Sequence, residues 1–288
     1  MDLPTLEKWW ALSDAEREEA VARLSVPAAY RYLGLLCTDS LSLPEYMHEA
    51  TGSFFVLVPG STYKMGLSRA EREILQGMQG YAGLESPIPF EAMTPQRRCK
   101  LAAVLVMRSP VTIGLAEGCG AIEPGVVERD CRVCFDDDRS TATVTHFTQP
   151  ETDALMQHYG WRLPGDAEWE YFYRAGTQTL FPWGNELPDD SELDRMLTIQ
   201  YPDRNQLNAR SNLFGLAGLQ VGERTNSSFE HTGEPADSDK DRACRGYSAG
   251  LWPWQSVGEW IGCVSAMRFP MADIPDGLMG ARAVVDLD

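Results

Sequence analysis

The chain has 288 residues and a formal net charge of −17, from 25 lysines and arginines against 42 aspartates and glutamates. A folded chain of this length buries about 75% of the surface that its unfolded form exposes, so the fold needs no disulfide or metal to hold it. The acidic excess repels polyanions and the basic residues do not cluster along the sequence, which argues against a nucleic-acid-binding protein. No apolar run is long enough to span a bilayer and no secretory signal pattern is found, so we expect no membrane partner and a cytoplasmic protein.

Residues 1–50 are predicted to form an N-terminal helical extension. The capping box Ser13-Asp14-Ala15-Glu16 precedes apolar residues at helical spacing, which predicts a helix over about 13–25. A second helical pattern follows over Ala28–Leu36. We expect this pair of helices to cover an edge of the main domain, residues 51–288. The alternative is a separate module that docks the chain to a larger assembly.

Short strand patterns, separated by glycine, proline and acidic turns, dominate the main domain. The predicted strands are Phe54–Val58, Ala102–Met107, Thr141–Phe147 and Ala283–Leu287. Two helices interrupt them, one after the capping box Ser68-Arg69-Ala70-Glu71 and one over Asp166–Arg174, whose first turn carries the acidic residues that the helix dipole favours. Regular alternation of strands and helices is absent from the sequence, so these patterns predict an α+β fold with many loops.

A tryptophan-rich signature follows Trp161. It reads Arg162-Leu163-Pro164-Gly165-Asp166-Ala167-Glu168-Trp169-Glu170-Tyr171, then Arg174-Ala175-Gly176 and Phe181-Pro182-Trp183-Gly184-Asn185. Shorter motifs lie on either side: Ser109-Pro110-Val111-Thr112, Asn212-Leu213-Phe214-Gly215-Leu216, Cys244-Arg245-Gly246-Tyr247-Ser248, Ser265-Ala266-Met267-Arg268 and Gly280-Ala281-Arg282. Together they resemble the formylglycine-generating enzyme, or sulfatase-modifying factor, family over about 54–288. The resemblance implies a C-type-lectin-like fold with a small twisted antiparallel sheet, two main helices and extensive loops.

The signature itself is expected to be architectural. Large aromatic side chains such as Trp169 supply apolar area to a core. Charged groups buried in such a helix are usually paired. We therefore expect Arg162, Glu168 and Arg174 to stabilise the fold rather than to take part in a reaction.

The resemblance also implies an oxygen-dependent oxidase that uses copper held by two cysteines shortly after the motif at 244–248. Soft copper(I) prefers thiolate ligands. Residues 249–260 contain no cysteine, Cys244 precedes the motif, and Cys263 lies close to the next one. We therefore expect Cys244 and Cys263 to be buried thiols and the formylglycine-generating activity to be absent, so no cofactor is predicted.

Other metal sites have weaker support. In the segment that resembles the family's calcium site only Glu223 and Asn226 remain as nearby oxygen ligands, which leaves calcium as an open alternative. The iron motif H-x-x-x-H-x-E of the related sulfoxide synthases is absent from the sequence. Cys131 and Cys134 form a C-x-x-C that could contribute, with His146, to a metal or redox site, although incidental thiols beside an acidic loop are the simpler explanation.

A ligand-binding groove is predicted in the C-terminal third of the chain. The residues predicted to line it are Arg245, Trp252, Trp254, Glu259, Trp260 and Arg268. Tryptophan and arginine are common in binding hot spots, although the tryptophans could instead fill the core. The leading hypothesis is a protein that binds a peptide, a small-molecule ligand or a partner protein. The alternative is an oxygen- or metal-dependent tailoring enzyme with copper or iron at a rebuilt site.

Overall fold

The computed structural model describes residues 3–79, 90–124, 143–144, 148–186, 205, 207–208, 211–219, 222–229, 242–246, 263–271 and 279–287. The helices are α1 Leu6–Ala11, α2 Asp14–Val21, α3 Arg69–Gln79, α4 Phe90–Met93, α5 Ile113–Gly118, α6 Gln149–Tyr159 and α7 Asp166–Arg174. The strands are β1 Tyr30–Cys37, β2 Ser42–His48, β3 Phe54–Val58, β4 Ser61–Met65, β5 Arg97–Leu101, β6 Val104–Met107, β7 Gly222–Ser228, β8 Arg242–Arg245, β9 Arg268–Met271, β10 Met279–Gly280 and β11 Val284–Asp286.

Within the described ranges the strands form three sheets. The largest is antiparallel and has the order β1-β2-β3-β6-β11. A second sheet has the order β10-β7-β8-β9, with β10 and β7 parallel and the other neighbours antiparallel. Strands β4 and β5 pair as an antiparallel ribbon. This mixture of helices and small sheets confirms the predicted α+β class, and none of the described helices is long and apolar enough to cross a membrane.

The prediction of a helical extension over residues 1–50 is only half right. Helix α2 lies inside the predicted range and begins at the predicted capping box. The predicted helix over Ala28–Leu36 is wrong, because this segment is largely strand β1. A bulge between Tyr32 and Gly34, where Gly34 has a φ of 115°, breaks the alternation of the strand and produces a spacing that imitates a helix. Strands β1 and β2 then join β3 in the largest sheet.

Predicted and observed strands agree best in the core. Strand β3 has the predicted bounds, and the paired β6 is buried over its whole length, as the central strands of a covered sheet are. Strand β11 is shorter than predicted. Of the predicted strand over 141–147 the structure describes only Thr143 and Val144, and Thr143 makes an isolated bridge to Thr112. The remainder of that segment lies outside the described residues.

Helix α7 connects the sheets and positions the site described below. It begins with a capping contact in which the Gly165 N–H donates to Glu168 Oε2 at 2.6 Å. Its last residue is Arg174, and the C-cap residue Ala175 is in the left-handed conformation with a φ of 47°. It contacts β4, β5, β7 and β8. Trp169, Glu170 and every residue from there to the end of the helix are buried, so the helix is enclosed on all sides, as core helices are.

Candidate functional site

A buried ionic cluster lies where the first turns of α7 meet β8 and β9. Arg245 Nε donates to Asp166 Oδ1 at 2.5 Å, and Arg245 Nη1 lies 3.1 Å from Glu170 Oε2. Arg268 Nη2 lies 3.2 Å from Asp166 Oδ2. The side chain of Arg245 has no exposed surface and that of Arg268 has 8%. The two arginines predicted to line a ligand groove are therefore directed at interior carboxylates.

The cluster continues along α7 through Glu170. This carboxylate accepts hydrogen bonds from the Tyr63 hydroxyl at 2.7 Å, from the Gly66 N–H at 2.9 Å and from Arg174 Nε at 3.0 Å. Arg174 also pairs with Glu71 at 2.5 Å. Burial, together with the charge of Glu170, raises the pKa of Tyr63 well above its usual value, so this hydroxyl remains a donor.

Asp166 is shared by several cations. Besides Arg245 and Arg268 it has Arg97, whose Nη2 lies 3.8 Å from Oδ2 and whose side chain is half exposed. Burial lowers the pKa of Arg268 although Asp166 favours its charged form, and its guanidinium lies over the Phe229 ring at 4.7 Å. Arg245 Nη2 and Arg268 Nε have no hydrogen-bond partner within the part of the chain that the structure describes. The cluster thus keeps donor capacity beyond its internal pairs.

The remaining signature residues also have partners inside the fold. Arg162 donates to Glu168 at 2.7 Å and to Asp286 at 2.7 Å, which ties α7 to strand β11. Trp169 Nε1 donates to Glu223 Oε2 at 2.8 Å. These contacts join α7 to strands β7 and β11.

A cleft of about 850 Å³ lies between the end of β1 and the segment that contains the Pro-Trp-Gly-Asn motif. Its described lining consists of Leu36, Cys37, Thr38, Asp39, Thr177, Thr179, Pro182, Trp183, Gly184, Asn208, Ser211, Asn212 and Leu213. The Trp183 ring stacks on Phe181 with centroids 4.9 Å apart and planes 3° apart, and its Nε1 donates to the Glu186 carbonyl at 3.0 Å. A partly exposed indole is therefore held in a fixed orientation at the cleft.

Asn212, another lining residue of the cleft, holds the backbone around it. Its Nδ2 donates to the Phe172 carbonyl at 2.7 Å, and its Oδ1 accepts the N–H groups of Phe214 at 3.0 Å and Leu216 at 3.2 Å. Among the described lining residues Asp39 is the only one with a carboxylate, and the other polar groups are hydroxyls and amides. An aromatic surface beside neutral hydrogen-bonding groups suits a polar organic ligand without negative charge.

Sequence reasoning missed this cleft. From the sequence, the Pro-Trp-Gly-Asn motif that carries Trp183 is interpreted as part of an architectural signature, together with the residues of α7. The residues predicted to line the groove other than Arg245 and Arg268, namely Trp252, Trp254, Glu259 and Trp260, lie outside the described residues. Cys131, Cys134 and His146 also lie outside them.

Comparison with known proteins gives the family. Residues 42–248 match the model of the sulfatase-modifying factor enzyme 1-like domain. The chain belongs to this family. It is 48% identical over 50 residues to the formylglycine-generating enzyme of Mus musculus, a match that covers 17% of this chain and 13% of that protein. It is 35% identical over 69 residues to the formylglycine-generating enzyme of Mycobacterium tuberculosis, covering 24% of this chain and 23% of that protein.

Two solved structures resemble the whole domain. PvdO from Pseudomonas aeruginosa matches with a TM-score of 0.53 and 16% identity, over 84% of this chain and 98% of that chain. Treponema denticola variable protein 1 matches with a TM-score of 0.53 and 14% identity, over 90% of this chain and 99% of that chain. Identities this low establish the fold alone, which is the predicted C-type-lectin-like fold of the formylglycine-generating type. The aligned segments span less than a quarter of each of the two curated relatives.

The described residues do not fit the metals that this family implies. Cys244 and Cys263 are both buried, and burial raises the pKa of Cys263 to about 12, which disfavours the thiolate that copper(I) requires. Both carboxylate oxygens of Glu223, the candidate calcium ligand, accept hydrogen bonds from Arg282, and one of them also accepts from Trp169. Among the described residues no three His, Cys, Asp or Glu side chains are grouped so that they could hold a metal ion.

Proposed function

We propose that this member of the sulfatase-modifying factor family is a ligand-binding or accessory protein without formylglycine-generating activity. The observation that carries the proposal is the state of the C-terminal cysteines. Residues 246–262 contain no cysteine, and Cys244 and Cys263, which flank this segment, are buried. A soft-metal oxidase site built from two thiolates has no donors there.

The ligand in this proposal is a peptide or a small polar molecule, or a segment of a partner protein. The cleft supports it with the fixed indole of Trp183, a set of hydroxyl and amide groups, and the carboxylate of Asp39. Binding pockets typically combine apolar or aromatic surface with a few polar groups that orient the ligand. The negative field of the chain favours a neutral or cationic ligand over an anionic one. Neither nucleic acid nor a membrane is a partner in this proposal.

The catalytic part of the proposal is tested by metal analysis and by an aldehyde assay. The purified chain is incubated with copper, oxygen and a cysteine-bearing peptide, and the peptide is examined by mass spectrometry for the aldehyde. The Mycobacterium tuberculosis enzyme is the positive control. We expect neither stoichiometric metal nor aldehyde. Copper, iron or zinc that is stoichiometric in the wild type and lost in Cys131→Ser or Cys263→Ser would instead establish the tailoring-enzyme alternative.

The binding part of the proposal is tested by tryptophan fluorescence against a panel of simple sugars and short unmodified peptides. A Trp183→Phe variant removes the indole at the cleft, whereas Trp10→Phe removes an indole that is 39% exposed on α1 and serves as the matched control. We expect ligand-induced quenching in the wild type and in Trp10→Phe, and its loss in Trp183→Phe. Quenching that survives in Trp183→Phe and disappears in Trp252→Phe would place the ligand in the sequence-predicted groove.

A further inference from the structure

A basic surface lies on the outer face of the β4–β5 ribbon. The register places Lys64 opposite Arg98 and Thr62 opposite Lys100. Residues directly opposite each other on antiparallel strands share a face of the sheet. All four side chains are exposed. We call Lys64, Arg98 and Lys100 the basic face.

The orientation of the basic face is fixed by what lies behind the ribbon. Tyr63, which points to the other side, donates its hydroxyl to Glu170 on α7 at 2.7 Å, and its ring contacts Tyr171 with centroids 5.5 Å apart. Side chains alternate between the two faces along a strand. Because the inner face is held against α7, Lys64 and its neighbours on the outer face point to solvent.

Two other exposed cations of this chain are paired, although Lys8 and Arg72 form no ion pair among the described residues. Arg69 pairs with Glu73 at 2.9 Å and Arg31 with Glu49 at 4.0 Å. No residue of the basic face forms an ion pair within the described part of the chain. This is unexpected because 42 acidic residues are available against 25 basic ones.

The arrangement also has an energetic cost. Like charges directly opposite on paired strands repel each other, and Lys64 faces Arg98. The linear sequence holds Arg98 and Lys100 close together, and Lys64 joins them when β4 pairs with β5. This local positive charge on a chain of net charge −17 is complementary to a partner segment that carries negative groups.

We propose that the basic face binds an extended acidic segment of a partner protein. Arg98 and Lys100 are two residues apart on one strand, so their Cα atoms are about 6.8 Å apart. Alternate side chains of an extended peptide have the same spacing, so carboxylates at every second position can pair with both cations while Lys64 pairs with a third. A long polyanion such as a nucleic acid suits the surface less well, because three cations can neutralise only a few of its phosphates.

This surface is separate from the cleft, with which it shares no lining residue. The inference therefore does not rest on the proposed function, and either can fail without the other. The partner segment supplies only charge and an extended backbone, so a synthetic peptide is an adequate probe.

The test uses a fluorescein-labelled peptide of alternating glutamate and threonine, with binding to the full chain followed by fluorescence anisotropy. At an ionic strength of about 0.1 M the Debye length is about 10 Å, so the peptide is influenced by the basic face more than by distant acidic groups. Binding is expected there and is expected to weaken at about 1 M, where the Debye length is about 3 Å. The variant Lys64→Gln/Arg98→Gln/Lys100→Gln should weaken binding about tenfold, as the loss of three exposed ion pairs predicts. A peptide with glutamine in place of glutamate should not bind.

The matched control is Lys8→Gln/Arg23→Gln/Arg31→Gln, which removes three exposed cations elsewhere and changes the net charge by the same amount. We expect its affinity to stay within about twofold of the wild type. Because all six positions are exposed, both variants are expected to fold, and thermal melts check that they do. The proposal is overturned if the wild type does not bind at an ionic strength of about 0.1 M. It is also overturned if both variants weaken binding equally, or if single-stranded DNA displaces the peptide at concentrations where an unlabelled copy of the peptide does not.

Discussion

Arg245 provides the sharpest test of the ionic cluster at α7. Substitution by methionine keeps much of the side-chain volume and removes the charge. In the structure Arg245 is fully buried and contacts Asp166 at 2.5 Å, Glu170 at 3.1 Å and the Met267 carbonyl at 3.2 Å. In Arg245→Met, the two carboxylates remain in the interior with one cation fewer.

The expected magnitude follows from burial. Removing one partner of a buried ion pair costs about 3–5 kcal/mol, because the remaining charge stays desolvated without compensation. A domain of this kind has a free energy of unfolding of about 5–15 kcal/mol, so the variant should lose a large fraction of it. At the size of this chain such a loss lowers Tm by roughly 10 °C.

The assay is urea denaturation followed by tryptophan fluorescence, with Arg97→Met as the matched control. Arg97 lies near the same Asp166 but at 3.8 Å, and its side chain is 50% exposed. Exposed ion pairs contribute about 0.2–1 kcal/mol, so the control should lose less than about 1 kcal/mol. If Arg245→Met lowers the free energy of unfolding no more than Arg97→Met does, the structural role of Arg245 is refuted. A loss of ligand binding at unchanged stability would instead indicate that Arg245 lines the groove that the sequence predicts.

Further predictions concern protonation, thiol reactivity and backbone conformation. Burial lowers the pKa of His48 from its usual 6.5. The stability that comes from the neutral imidazole is therefore complete above pH 6.5 and is lost as the pH falls through the lowered pKa. A His48→Gln variant should show a flatter dependence of Tm on pH between about 7 and 5. Iodoacetamide should alkylate the exposed Cys37 in the native protein but Cys263 only after unfolding, and peptide mapping that finds native Cys263 modified would contradict its burial. Gly215→Ala should destabilise the fold by about 1–3 kcal/mol in urea titrations, because the φ of Gly215 is 75° and the new Cβ would lie 2.3 Å from the Leu36 side chain. Gly77→Ala, on an open helix surface, should stabilise the fold by about 0.5–1 kcal/mol.

The sequence located the elements whose signals are local. Helix α7 begins and ends at the predicted residues, because its acidic first turn and its capping contact lie within the helix and the residue before it. Strand β3 is an uninterrupted apolar run and also has the predicted bounds. Strand β1 was predicted as a helix because the pairing that makes it a strand involves β2, and its bulge at Gly34 removes the alternation that identifies strands.

The candidate site was less accessible to sequence reasoning. Arg245 and Arg268 are predicted to line a groove because they are arginines in a tryptophan-rich part of the sequence. The carboxylate that both approach, Asp166, belongs to a distant part of the chain. Only the packing of β8 and β9 against α7 brings these groups together. The sequence does not predict Trp183 as a ligand-binding residue, because its motif is interpreted as part of the structural signature. Its exposure at the cleft depends on the stacking that holds its ring on Phe181.

Strand β2, which precedes the main domain predicted from the sequence at residues 51–288, has a consequence for shortened versions of this protein. Strand β2 covers one edge of β3, and Glu45 within it pairs with the buried Arg108. A polypeptide starting at residue 51 would lose that carboxylate and would present β3 as an open, apolar edge. Open edges of this kind recruit strands from other molecules. Such a polypeptide should form aggregates that dilution or added salt does not reverse, whatever role the N-terminal helices have in the intact chain.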